Sequence, residues 1–135
     1  MLVSAAASKL LASWLIALMT TAAGAARSDC LKETSRSESV TGQLAVVAAA
    51  DADGRPERPY ILSLAEPVCL TASEPDLNVP DTRQIHIYSS MPDVRAAIAR
   101  LVGRRVRVTG QPFSAHTAHH HAPIVMDVDK IEFDP

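Results

Sequence analysis

Four of the chain's five histidines, His116, His119, His120 and His121, fall within six positions, in the stretch HTAHHHAP. Imidazole binds zinc or copper near neutral pH and gains its charge in the same range. Along an extended segment side chains alternate, so His119 and His121 are expected on one side and His120 on the other. Two imidazoles so placed can share a divalent ion. A closed structural zinc site needs four ligands and a catalytic one three plus a water, and His116, His86 and Asp127 are the candidates to complete either set. The same residues also suit a solvent-facing polar hairpin, or histidines hydrogen-bonded into a sheet to hold a loop. Metal binding, partner contact and a structural use therefore stand side by side, and zinc or copper is the cofactor that the first of them implies.

Other chemistry is thinly represented. The chain has no glycine-rich phosphate loop, no GxSxG elbow and no HExxH pair. Ser114 precedes His116 by two positions, a common arrangement in turns, and no acid is identifiable to orient the pair. Arg105 and Arg107 share one strand face in GRRVRV, which suits either an anionic partner or a solvated surface balanced by neighbouring acids.

The elements that must position the histidines begin after a leader. Residues 1–26 hold Lys9 as their one charged side chain, then the apolar run LLASWLIALM and the small residues TTAAGAA. That order describes a secretory signal peptide, and the run is shorter than the ~20 residues of a membrane span. Removing it moves the formal net charge from −2 to −3, which disfavours general nucleic-acid binding through phosphate neutralisation. The mature chain is expected in the periplasm or secreted, with no membrane span left. Cys30 and Cys69, two cysteines in an exported chain, read as a disulfide.

Residues 27–39 form a polar lead-in, and residues 40–135 one small domain. VTGQLAVVAAA, with Val40, Gly42, Leu44, Val46 and Ala48 in phase, predicts a first strand. DADGRPERP is a turn or exposed loop, YILSLAEPVCL a second strand, and TASEPDLNVPDT a surface connection. RQIHIYSS is a third strand. A helix follows, with Ser90 as its cap, Pro92 in its first turn, Gly103 at its end, and an apolar stripe of Val94, Ala97, Ile98, Leu101 and Val102. RRVRVTGQPF is a fourth strand that buries Val106 and Val108. PIVMDVDKIEF is a fifth, whose change of phase before Ile131 and Phe133 signals a bulge. Three strands, a helix and two strands is the element order of the OB-fold, a five-stranded Greek-key barrel with one helix between strands three and four. In that fold the loop between strands four and five, where the histidines fall, borders the binding face.

With those residues in place, LVGRRVRVTGQPFSAHTAHHHAPIVMDVDKI resembles a family of small exported bacterial proteins, domain of unknown function family 4431. Its pattern runs Leu-x-Gly-Lys-x-Val-x-Val-x-Gly-x-Leu-Phe-x-Ala-x-Thr-Gly-His-His-His-Thr. Gly103, Val106, Val108, Gly110, Phe113, Ala115, Thr117, His119, His120 and His121 match position by position. Arg104, Pro112, Ala118 and Ala122 depart from it, and Ala118 stands where a turn with positive φ would favour glycine. YILSLAEPVCL and RQIHIY are similar to strands of the same family, so the resemblance spans about residues 40–133. It implies a site at the histidines and names no activity.

The expected function is an exported OB-fold-like binding or accessory module that uses its histidine loop, His116, Thr117, His119, His120 and His121, with Arg105 and Arg107 as further contacts, to engage a protein, a small ligand or a divalent metal. The metal ligands expected are His119, His121 and His116. The alternatives are a small metal-dependent hydrolase and a protein-binding inhibitor whose histidines are structural.

Overall fold

A computed structural model describes residues 29–135; the leader expected over residues 1–26 lies outside them. In chain order the strands are β1 (Leu31–Lys32), β2 (Glu38–Val46), β3 (Ala49–Ala50), β4 (Pro56–Glu57), β5 (Tyr60–Thr71), β6 (Val79–Tyr88), β7 (Arg105–Ser114) and β8 (Ile124–Phe133), with helix α1 (Pro92–Arg100) between β6 and β7. The five long strands pair in the order β5-β2-β7-β8-β6, and β6 pairs back onto β5 to close the ring. Among these five strands all pairs are antiparallel except β6 with β8. This is the OB-fold barrel expected, with α1 between its third and fourth long strands. Closure means that each of those five strands has a paired neighbour on both sides.

Alternation along each strand produces the core. Leu44, Leu62, Ile85, Ile87, Val106, Val108, Ile124, Met126 and Val128 are fully buried inside the ring. Ile98 of α1 is buried with them, and Val94 and Leu101 pack partly against the same cluster. Val102 and Phe133, read as core-facing, are exposed instead. The helix ends at Arg100, before Val102, and Phe133, the last residue of β8, faces outward with the Arg104 guanidinium 5.9 Å from its ring centroid.

The change of phase in β8 is a bulge. Lys130 pairs with Thr109 and Val128 with Gly110, so Asp129 is the extra residue. Beside it, a Cβ on Gly110 would lie 2.0 Å from the Asp127 carbonyl oxygen, which is why glycine occupies this position. Gly103 adopts φ +83° just after α1, where glycine ends helices readily.

Two local expectations are corrected. The described part of the lead-in joins the sheet: β2 starts at Glu38, Leu31 is buried, and Leu31 and Lys32 pair in parallel with Leu70 and Thr71. The Cys30–Cys69 disulfide, with a Cα–Cα distance of 4.6 Å, ties that short strand down. The helix cap is also different. Met91 is the N-cap with no side-chain bond, and buried Ser89, rather than Ser90, organises the entry. The Ser89 hydroxyl donates to the Val128 carbonyl at 2.6 Å and accepts from the Met91 N–H at 3.1 Å. Among the described residues no helix is long and apolar enough to cross a membrane.

Candidate functional site

The outer face of the barrel near the histidines is built in rungs. Register places Ile61, His86, Val125 and Phe113 side by side across β5, β6, β8 and β7. Ile61 and Val125 are buried although they point away from the core, which requires a cover. The loop of residues 115–123 lies against this face, its His121 backbone N–H bonded to His86 Nδ1 and its His120 ring against Phe113. Its neck is closed by the Ala115 N–H donating to the Pro123 carbonyl at 3.1 Å, and Ala122 is its buried residue.

The run is a turn rather than an extended segment. The His120 N–H donates to the Thr117 carbonyl at 3.1 Å and the His119 N–H to Thr117 Oγ1 at 3.2 Å, so Thr117 shapes the loop from its own backbone and side chain. No non-glycine residue among those described has positive φ, so Ala118 meets no steric obstacle where the family pattern has glycine.

The turn divides the imidazoles into two groups. His116 and His120 stack edge-on with ring centroids 4.8 Å apart, and both lie against Phe113. The His116 backbone N–H donates to His120 Nδ1 at 3.1 Å, and His116 Nδ1 is paired with the Ser114 carbonyl at 3.0 Å. His86 Nδ1 accepts the His121 backbone N–H at 3.2 Å. His86 and His120 thus serve the loop as neutral acceptors, a role that a proton on Nδ1 would end. Burial, followed by the charges of His121 and His120, depresses His86 to about pKa 4. Burial and then His116 lower His120 as well.

His119 and His121 face the other way and meet Glu57. Glu57 Oε1 pairs with His119 Nδ1, and Oε2 lies 2.5 Å from His121 Nε2. Glu57 comes from the connection between β2 and β5, which reads as a plain turn in the sequence but folds into the β3–β4 hairpin. There Asp51 Oδ1 accepts the Asp53 and Arg55 N–H groups, both at 2.9 Å. Its hydrogen bonds with His121 and His119 hold the Glu57 carboxyl below the usual range, and the same contact raises His119. Among the described residues, Asp51, Glu57 and His119 are the one group of three whose candidate ligand atoms lie within 4.8 Å of one another.

The remaining expected partners do not join this group. His116 is turned into the aromatic stack. His86 sits behind the His121 backbone, and Asp127 lies one rung further along the outer face. Arg105 and Arg107 begin β7, whose other end leads into the loop, so roughly 30 Å of strand separates them from the histidines. Arg105 pairs with Asp134 at 3.0 Å and Arg107 faces Glu132 across the sheet. Both belong to a balanced charged surface. Glu57 and Asp51 carry no signal in sequence spacing, since they lie more than fifty positions from the histidines and become neighbours only when two loops meet at one end of a closed barrel.

Residues 84–132 match a family model described as domain of unknown function (DUF4431). The resemblance carried by the glycine, valine and histidine pattern is thereby borne out over this part of the chain. The DUF4431 match runs from β6 through α1 and β7 into β8. It contains the whole histidine loop and leaves β2, β5 and the Asp51–Glu57 hairpin outside it. No curated protein matches the chain.

Proposed function

We propose that this protein is an exported binding module that captures a divalent transition metal, zinc or copper, between the two loops at one end of its barrel. The observation that carries the reading is the meeting of Glu57 from one loop with His119 and His121 from the other. Imidazole and carboxylate are the donor types that zinc and copper accept, at about 2.0–2.2 Å per ligand for zinc. Glu57 and His119 supply the first two ligands, Asp51 the third, and His121 a fourth from a more buried position. His119 is well exposed, so a small adjustment of this one side chain tightens the set. The disulfide supports an oxidising compartment, in keeping with the leader expected at the N-terminus.

In the metal-free state the hydrogen bond with Glu57, which raises the His119 pKa, favours a proton on that imidazole. Metal uptake must expel it, so binding weakens as the pH falls. Calorimetric titration of zinc into chelator-treated protein tests this. The wild type is expected to bind one equivalent and release protons, and Glu57→Gln is expected to lose roughly tenfold or more in affinity. His116→Ala, outside the ligand set, should bind as the wild type does. Absence of zinc-dependent heat in the wild type, or equal losses in Glu57→Gln and His116→Ala, refutes the assignment.

A further inference from the structure

One rung beyond the histidine loop the outer face is open. Tyr88, Asp127 and Gln111 lie side by side across β6, β8 and β7. With Phe113 and His116 on one flank and Glu33 on the other, they enclose a cleft of about 250 Å³. Phe113 and Tyr88 meet edge to face, centroids 6.2 Å apart and planes at 75°, so two aromatic faces form a corner. Two acidic residues, Asp127 and Glu33, line the same space. One oxygen of Asp127 accepts only a long bond of 3.3 Å from the Ser90 N–H, and one oxygen of Glu33 accepts the Ser73 N–H at 2.5 Å. Neither carboxylate is ion-paired within 4.0 Å to a described lysine or arginine.

We infer that this cleft binds an organic cation, a guanidinium or alkylammonium group, against the Tyr88–Phe113 corner with Asp127 and Glu33 as counter-charges. Aromatic faces attract such cations through the negative lobe of the ring, most strongly where water is partly excluded. A compact metal ion does not suit the place, because Asp127, Glu33 and His116 are not among the residues whose ligand atoms approach one another closely. The volume instead suits one arginine or lysine side chain, or a small free amine. Burial, followed by the Asp127 carboxylate, pushes the Tyr88 hydroxyl up, in keeping with a negative charge beside the ring.

The wall carrying Glu33 is not a free tail. Gln111 Nε2 donates to the Glu33 carbonyl at 3.0 Å, the Glu33 N–H donates to Thr71, and the Cys30–Cys69 bridge anchors the segment three residues earlier. The disulfide therefore positions one counter-charge of the cleft. This site is independent of the metal site proposed above, since none of its carboxylates belongs to that ligand set.

Titration of the full mature chain, in the presence of chelator, with capped arginine amide, capped citrulline amide and tetramethylammonium decides the matter, followed by amide chemical shifts in β6, β7 and β8. The arginine amide is expected to bind at least tenfold more tightly than neutral, near-isosteric citrulline, and Asp127→Asn to lose about tenfold, the usual effect of removing a charged hydrogen-bond partner. Tyr88→Leu, at an exposed ring, should weaken binding while leaving the melting temperature unchanged. Binding of tetramethylammonium as well would mark a site for free organic cations, and binding of the arginine amide alone a site for basic peptide side chains. Equal shifts with arginine and citrulline amides, or undiminished binding by both Asp127→Asn and Tyr88→Leu, overturns the inference. Zinc titration of Asp127→Asn, expected to match the wild type, keeps this outcome separate from the fate of the metal site.

Discussion

Acidification should weaken the metal-free fold through one histidine in particular. His86 Nδ1 accepts the backbone N–H of His121, and burial beside two other imidazoles depresses it to about pKa 4 from an ordinary 6.5. A base whose folded pKa is lowered stabilises the fold in full above its unfolded pKa. That contribution is lost as the pH falls from about 6.5 toward 4, because the unfolded chain takes up the proton first. From about pH 7.5 to about pH 5 the difference in proton binding amounts to roughly 1.5 pKa units, or about 2 kcal/mol at 1.36 kcal/mol per unit. The ring is only half-buried, and solvent screening reduces this to about 1 kcal/mol. Other groups titrate too. Glu57 and Glu132, both held low, lose stabilisation in the acid range, while His119, held high, works in the opposite sense. The comparison with His86→Asn cancels them, since the asparagine oxygen can accept the same N–H without titrating. Urea denaturation with chelator present should give a stability loss between those pH values about 1 kcal/mol greater in the wild type than in His86→Asn. Identical pH slopes in the two proteins would refute the neutral-acceptor role of His86.

The other predictions concern the frame. Gly110→Ala places a methyl group 2.0 Å from the Asp127 carbonyl oxygen and should cost at least roughly 3 kcal/mol, since backbone rather than a pliable side chain must yield; chemical denaturation measures it, and a loss below about 1 kcal/mol would contradict the close approach at the bulge. Replacing Cys30 and Cys69 together by serine reopens a loop of 39 residues and should cost about 4 kcal/mol in the chain-entropy picture. It should also weaken arginine amide binding by freeing Glu33. Unchanged amide shifts around Gln111 in that variant would show that the segment is held without the bridge.

The sequence by itself determined most of the barrel. Strand alternation is local information: Val106 and Val108, or Ile85 and Ile87, declare an inward face whatever their neighbours are, and the change of phase at Asp129 is visible as two apolar series out of step. The helix stripe was legible through Ile98 and Leu101 for the same reason. Its last member, Val102, was not, because the end of a stripe depends on where the opposing layer stops. The pairing of two cysteines needed only their number and the expectation of an exported chain. What the tertiary structure alone decided was the company of the histidines. His116, His86 and Asp127 are close to the loop in sequence or in the strand map, yet the turn at Thr117 sends His116 into an aromatic stack and uses His86 as an acceptor. Glu57 and Asp51 come from the opposite side of a closed ring. Closure brings the connection between β2 and β5 beside the connection between β7 and β8, and side-chain contacts made across such a junction leave no periodicity in either stretch of chain.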